Sequence, residues 1–514
     1  MTSIQKFEAL CDRILNTLSS PRFIVWAIPL ILVTRLLSTS PADPDLFARI
    51  AMGHLTLTNA SVPLTDPFAF TKVLPMWVDH EWLAGVVFYL VSSASGDVGL
   101  IALRVLLAIL AVLCVIHASE RHSPVFRARF IWISLCILHA AAAWTSTIRC
   151  QAFTYLFIPF LYWAAIEYRS HRNIALLRIS PIVAVIWVNM HGGFALGCCI
   201  IGLLCLTELA VKRLSLGLIA VAAGWAIAPV FTPYGFTVFV TFLLDSLGME
   251  RPGIVEWEPL YKDVPSFIAT IVLTLPLLYG MVVKRKTLDL FAVGSIIFSG
   301  YCAFRHTRFL AFFMITAAIF GGPYIEITLN RLREIRLSFF LASVRSGAIS
   351  IVLLLAVGAA KLVLILGTPS TYKLDFAAYP IGAVEWLRNS GLSGNLLVNF
   401  NEGSFAMWRL YPKFKISVDG RYEEAYPQET VTDNALALSP NNLRGREALE
   451  RINPTHILAS LKTPETDPAA LFGNGWKVIY RDPTSAVLSR EANEASEPPV
   501  NYNKVPLDMW TPLF

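Results

Sequence analysis

Apolar runs long enough to cross a lipid bilayer recur along this 514-residue chain. A helix needs about 20 apolar residues to traverse a hydrocarbon core of ~30 Å. Inside lipid every backbone polar group must find its partner within the chain, so such runs fold as helices. The clearest runs are 23–38, 98–118, 130–147, 152–167, 179–190, 194–210, 215–231, 266–283, 288–303, 307–320 and 347–366. They predict a polytopic all-α membrane bundle of about 11 transmembrane helices. Composition agrees: 55% of residues are hydrophobic and 15% charged, against about 25% charged in soluble domains. A net charge of +6 is small for this length and fits loop bias, not a nucleic-acid surface. Most of the 8 cysteines lie in apolar runs, none follows Cys302, and no pair has zinc-ligand spacing. The first run, Phe23 to Leu37, lacks a small-residue cleavage site and reads as an uncleaved anchor.

One segment decides the topology. Trp82 to Ser95 is apolar but too short to cross comfortably. If it lies at the interface or re-enters, a cytoplasmic N-terminus puts every basic loop cluster inside. These are Arg121, Arg127 and Arg129; Arg169, Arg172 and Arg178; Lys212 and Arg213; Lys284, Arg285 and Lys286; and Arg331, Arg333, Arg336 and Arg345. That arrangement obeys the positive-inside rule, whereas a spanning segment inverts it. The short runs fit broken helices beside a cavity.

After Leu366 the pattern becomes polar and mixed. Two domains are expected: a transmembrane domain over 1–366, with an outer loop at 39–97, and an extracytoplasmic α/β domain over 367–514. Within the latter, helices are predicted at Ile381 to Arg388, Ser404 to Leu410 and Arg444 to Ile452. Strands are predicted at Asn395 to Asn399, Lys415 to Asp419, His456 to Ser460, Trp476 to Tyr480 and Ala486 to Ser489. The tail from about 491, rich in Asn, Pro and Glu, reads as loosely ordered.

This topology gathers the chemically capable side chains on the outer face. Asp43 and Asp45 follow the first run, one residue apart. Such a pair can supply a base or a cation site, and Asp before a helical run is also an ordinary cap. His80 and Glu81 precede the short apolar segment, where they can bind a polar substrate or simply start a helix. Asp66-Pro67 reads as a turn. Arg104 falls inside a run, where a charge is expensive and marks a functional candidate. Arg149, His191 and Glu256 sit in outer connections, and Gly192-Gly193 permits a tight turn beside His191. Arg305, His306 and Arg308 place three cations in four residues on the side that positive-inside leaves poor in cations. That pattern suits a phosphate clamp. Asp419-Gly420-Arg421, after a predicted strand, is either a structural turn with an ion pair or a substrate contact.

These motifs resemble the GT-C superfamily of integral-membrane glycosyltransferases. Asp43-Pro44-Asp45-Leu46-Phe47-Ala48-Arg49 looks like the acidic first-loop motif of oligosaccharyltransferase catalytic subunits and protein mannosyltransferases. More closely, Asp79-His80-Glu81-Trp82-Leu83, Trp187-Val188-Asn189-Met190-His191-Gly192 and Ser417-Val418-Asp419-Gly420-Arg421 resemble a group of uncharacterised bacterial multi-span proteins. Arg149-Cys150-Gln151 stands where relatives often carry Arg-Pro-Gln. The resemblance implies transfer of a sugar from a polyprenyl-phosphate or -diphosphate donor to an extracytoplasmic glycan, lipid or protein acceptor, at a bacterial inner membrane. It implies Asp45 or Asp43 as base and Arg149, Arg305, His306 and Arg308 as phosphate contacts. His80, Glu81, Arg104, His191 and Glu256 complete the expected substrate-binding set. Metal use varies across the superfamily, and the Asp43/Asp45 pair permits a divalent cation such as Mg or Mn without requiring one. A lipid-linked saccharide transporter or flippase, or an inactive accessory protein, is the alternative. Alternating access would place substrate groups on inward loops too, and these carry little beyond Lys and Arg.

Overall fold

The computed structural model describes residues 44–125, 128–143, 148–248, 254–334, 379–461, 468–473 and 475–490. The expected spans 23–38 and 347–366, Asp43 and the tail from 491 lie outside the described residues. The chain divides into two compact units. One holds Ile101–Phe236 and the described residues from Leu247 to 334. The other joins Pro41–Leu100, Thr237–Ser246 and the described residues after Thr371.

The first unit is all helical. Among the described residues, Val98–His122 and Val264–Val283 are long and apolar enough to cross a membrane. Thr307–Phe320 and Gly322–Arg331 reach that length together but bend by 68° at their break. Leu216–Phe231 likewise passes only with the segment that follows it, Gly235–Ser246. Ile131–Ala140, Ala175–Val188, Phe194–Ala210 and Leu290–Arg305 are apolar but shorter. At 1.5 Å rise per residue such helices fall short of a straight crossing. The core centres on Leu310–Phe320, in which every residue is buried, packed against Arg129–Ala143 and Leu290–Arg305.

Ion pairs bind one set of helix ends in this unit. The Arg169 guanidinium donates to both Asp289 oxygens at 2.8 Å and to Glu208 at 3.1 Å, and Arg121 meets Glu167 at 3.0 Å. Asp289 also caps its own helix through the N–H groups of Phe291 and Ala292. Several arginines of the expected inward loops are therefore paired at the ends of helices.

The second unit is α/β and contains the small sheet. Its strands are β1 (Gly394–Leu397), β2 (Phe414–Ile416), β3 (His456–Ser460), β4 (Lys477–Arg481) and β5 (Ser485–Ser489). The order is β2-β1-β3-β5-β4, with β1 parallel to both β2 and β3, and β5 antiparallel to β3 and β4. β1 returns to β2 through helix Phe400–Leu410, and β2 reaches β3 through Gln428–Ala437 and Leu443–Ile452. The crossover from β1 to β2 runs one way across the sheet, and that from β2 to β3 runs the other. Right-handed connection therefore puts their helices on opposite faces. On one face Leu397, Ala437, Ala448, Ile457, Trp476 and Leu488 share an apolar core.

Residues 44–100, which hold the described part of the expected outer loop, share a compact unit with this sheet. Helix Pro44–Asn59 packs on helix Phe400–Leu410, with the Phe47 and Phe405 rings 5.2 Å apart and Tyr379 6.0 Å from Phe47. The helix Trp82–Gly96 crosses Pro44–Asn59 at two glycines: a Cβ on Gly53 would stand 2.1 Å from the Gly85 carbonyl oxygen. The doubtful apolar segment is thus a helix of its own. Gly96 ends it with φ 54° and ψ −141°, a conformation that glycine adopts without the Cβ penalty. The loop between the helices extends the sheet. Phe70 N–H donates to the Ile416 carbonyl at 3.1 Å and Ile416 N–H to Phe68 at 3.0 Å, beside the open edge of β2.

Candidate active-site residues

Two polar clusters collect most of the candidates, one in each unit. In the α/β unit the first turns of Pro44–Asn59 and Trp82–Gly96 deliver the first-loop motif. Asp45 opens its helix, and Arg49 lies one turn on, on the same face. The Arg49 guanidinium is buried among three carboxylates. It meets Asp79 Oδ1 at 2.5 Å, Glu81 Oε2 at 2.9 Å and Glu424 Oε1 at 2.8 Å. His80 Nδ1 lies 3.1 Å from Glu424 Oε1, and the His80 ring stands 5.3 Å from Phe242.

Burial and charge compete in this cluster. Burial pushes the Asp79 carboxyl up to about 6, with Arg49 opposing. Burial also raises Glu424, but Arg49 and His80 outweigh it and bring that carboxyl down to about 2. Burial alone lowers His80, yet the Glu424 charge holds it above its ordinary value. The cluster is therefore an ion-pair lock in which three carboxylates share one guanidinium and His80. His80, Glu81 and Glu424 have donor atoms within 4.8 Å of one another, a spacing that a cation can use. Arg49 already bonds both Glu81 and Glu424. A divalent ion would have to displace that guanidinium, so the arrangement does not fit a resident metal.

Asp45 faces Gly420. A Cβ on Gly420 would lie 3.0 Å from Asp45 Oδ1 and 3.5 Å from Ser404 Oγ, so the missing side chain leaves the carboxylate its room. The flanking Asp419 and Arg421 are structural. Arg421 grips Asp419 with Nε at 2.9 Å and Nη2 at 2.7 Å, reaches Asp66 at 2.5 Å, and lies over the Trp77 ring at 4.6 Å. Tyr426 donates to Asp419 at 3.2 Å. Asp66 makes the expected turn as well, accepting from Ala69 N–H at 2.8 Å. Of the two readings of Asp419-Gly420-Arg421, the turn with an ion pair describes the geometry. Every polar group of Arg421 faces inward, and the residue is only 2% exposed.

The second cluster lies in the helical unit. Arg149, just before helix Gln151–His171, bonds Glu256 at 3.0 Å. Arg308 reaches the other Glu256 oxygen at 3.7 Å and lies 4.2 Å over the Trp257 ring. His306 Nδ1 is 2.6 Å from the Trp257 carbonyl and donates to it, which leaves Nε2 as the acceptor of the neutral ring. Thr307 ties the same loop through its N–H to the Glu258 carbonyl at 3.0 Å. Arg305 is exposed and makes no ion pair among the described residues. Two arginines share one carboxylate here, so the cluster carries net positive charge.

His191 is held by its own turn. Its Nδ1 accepts from Gly193 N–H at 2.9 Å and lies 2.8 Å from Thr154 Oγ1, which in turn accepts from Trp187 Nε1. That network holds the turn between two helices. Arg104 is buried on Val98–His122, in the helical unit. Asp79 stands among the outer acids of the sequence, Arg49 only within a motif, and Glu424 carries no mark there. The acidic and basic residues of the motifs were a signal for Asp79 and Arg49. Glu424, 375 positions from Arg49, offered none.

No protein-family model matches the chain, and no curated protein matches it in sequence. Solved structures do match. ArnT from Cupriavidus metallidurans, bound to undecaprenyl phosphate, superposes with a TM-score of 0.51 at 13% identity, over 93% of this chain and 99% of that one. The archaeal oligosaccharyltransferase AglB from Archaeoglobus fulgidus, in complex with an inhibitory peptide and a dolichol-phosphate, gives a TM-score of 0.50 at 12% identity. That match covers 85% of this chain and 69% of AglB. Both are GT-C membrane glycosyltransferases, and this chain shares their fold.

Proposed function

We propose that this protein is a membrane glycosyltransferase that moves a sugar from a polyprenyl-phosphate or -diphosphate donor to an extracytoplasmic acceptor. The supporting observation is the Arg149–Glu256–Arg308 constellation, with Arg305 exposed beside it, on a fold shared with two enzymes solved with lipid phosphates. A phosphate offers these arginines charge-assisted, bidentate hydrogen bonds. Asp45 takes the proton of the acceptor hydroxyl or amide. The acceptor atom attacks the anomeric carbon, and the bond from that carbon to the phosphate oxygen breaks. Arg149, Arg305 and Arg308 stabilise the departing phosphate charge. His306, with Nδ1 committed to a carbonyl, donates to phosphate through Nε2 only as an imidazolium. Direct displacement inverts the anomeric configuration.

In this reading the chain resides in a bacterial inner membrane. Its N-terminus is cytoplasmic, and the α/β unit lies outside. Reporter fusions after Arg178 and after Leu366 should then give opposite signals. The deciding assay uses purified full-length protein and a panel of lipid-linked sugars. Asp45→Asn should lower turnover by about 10²–10⁴-fold, the range for loss of a general base. Turnover equal to the unmodified protein excludes Asp45 as base, and no turnover with any donor overturns the enzymatic reading.

A further inference from the structure

The α/β unit contains a feature that donor chemistry does not use. Its parallel strands β1 and β3 are neighbours; the helix that leaves β1 and the helices that lead from β2 into β3 lie on opposite faces, as the strand order requires. Such a reversal opens a crevice at the carboxyl ends of the strands, where open α/β sheets bind ligands.

Two buried oxygens at those strand ends have no hydrogen-bond partner among the described residues. Glu402, in the first turn of Phe400–Leu410, is 8% exposed. One of its oxygens accepts from Ser460 Oγ, which places the carboxyl at the end of β3, while Oε2 has no partner. Asn434, on the helix of the opposite face, is 2% exposed. Its Nδ2 donates to the carbonyl of Val398, just past β1, at 3.1 Å, while Oδ1 has no partner. A buried acceptor left empty costs about 1–3 kcal/mol. Two at one crevice imply that something else supplies the donors. Burial pushes the Glu402 carboxyl up to about 7, with the Ser460 hydroxyl opposing, as expected of an acceptor that lacks a counter-charge.

The pairing identifies the ligand class. The two open oxygens, a carboxylate and an amide, fall far short of the roughly six to eight oxygens that a hard cation such as calcium gathers. A ligand with several hydroxyl donors suits both. Half-buried Phe400 starts the same helix, its ring 5.9 Å from Tyr422, and adds the apolar surface on which a sugar's C–H face rests.

We propose that the crevice at the carboxyl ends of β1 and β3 is a saccharide-binding subsite whose sugar hydroxyls donate to Glu402 Oε2 and Asn434 Oδ1. This goes beyond the donor chemistry above, and its test reads binding instead of turnover. Ligand-observed saturation-transfer NMR on the full-length protein, with mannose, N-acetylglucosamine and glucosamine as probes, should show contact with both neutral sugars. Glu402→Met and Asn434→Leu should each weaken binding about tenfold or more, the loss of one hydrogen bond to a charged or buried acceptor. Both should also raise the thermal midpoint, because an unmatched polar atom is removed. Glu402→Gln, which keeps the side-chain shape, guards against misfolding and should abolish any strengthening of binding as pH rises through about 7. Three results overturn the proposal: no contact with either neutral sugar, as when only ordered water fills the crevice; contact with glucosamine alone, which marks a cation site; or full binding by both apolar variants.

Discussion

Replacing Arg49 with methionine tests the central lock of the α/β unit. The guanidinium bonds Asp79, Glu81 and Glu424, of which Asp79 and Glu424 are buried. The titrations of those two oppose each other. Glu424 falls from 4.5 to about 2, so its stabilisation is present above 4.5 and fades as pH drops toward 2. It corresponds to roughly 3 kcal/mol at neutral pH. Asp79 rises from 3.8 to about 6, so it favours folding below 3.8 and withdraws that support as pH climbs through 6. Its effect is of similar size and opposite sign. The lock is therefore near balance at neutral pH, as buried ion pairs often are. Its removal is not balanced. Arg49→Met leaves two buried carboxylates without their counter-charge, at about 3–5 kcal/mol. Acid should relieve this by protonating them. Thermal midpoints of the full-length protein between about pH 4 and pH 8 should show a large deficit at neutral pH that shrinks toward the acid end. Adding Glu424→Gln should recover part of it, as a coupled pair requires. A variant with an unchanged midpoint at neutral pH, or a deficit independent of pH, would refute the reasoning.

Arg421→Lys loses the two-pronged grip on Asp419 and the stacking on Trp77. It should cost about 3 kcal/mol or more and make the segment around Asp66 and Thr71 susceptible to limited proteolysis. Gly420→Ala brings a methyl to 3.0 Å from Asp45 Oδ1. Turnover should drop while the stability stays within about 1 kcal/mol of the parent, since the carboxylate can swing aside. Arg149→Ala and Arg308→Ala should raise the donor KM about tenfold each through loss of a charge-assisted contact, with acceptor KM unchanged in steady-state kinetics.

Local elements were legible in the sequence because short patterns carry them. His456–Ser460 is the predicted strand, Ile381–Asn389 and Leu443–Ile452 match predicted helices to within a residue, and the other four strands differ by one to three residues at their ends. The helix Gln428–Ala437 was not anticipated. Its composition is polar and only Thr430, Asn434 and Ala437 are buried, so it has no wide apolar stripe to read. Partnership was the larger gap. The polar loop around Asp66 looked like a surface connection, yet it extends the sheet beside β2 and is held by Arg421. Arg49 reads locally as part of an acidic motif, and its decisive partner is Glu424. Periodicity reports which face a residue takes; it does not say which distant face it meets. The candidate site was legible where acids and bases cluster in sequence, as at 79–81 and 305–308. It was not legible at Glu402 and Asn434, which are single polar residues in ordinary helices.

The pairing of Ala69 with Ile416 has a consequence for how the protein is made. Arg49 and Glu424 are separated by 375 positions, and Asp66 and Arg421 by 355. A ribosome adds about 5–20 residues per second, so the early segment waits on the order of 20–70 s for its other half. During that interval Arg49 lacks Glu424, and Phe68 and Trp77 lack the guanidinium that later stacks on them. Closure of this unit is therefore a late event in synthesis, governed by contacts of the highest sequence separation. A nascent chain arrested before β2 emerges would hold an unfinished sheet edge that any chaperone reading exposed aromatic side chains could recognise.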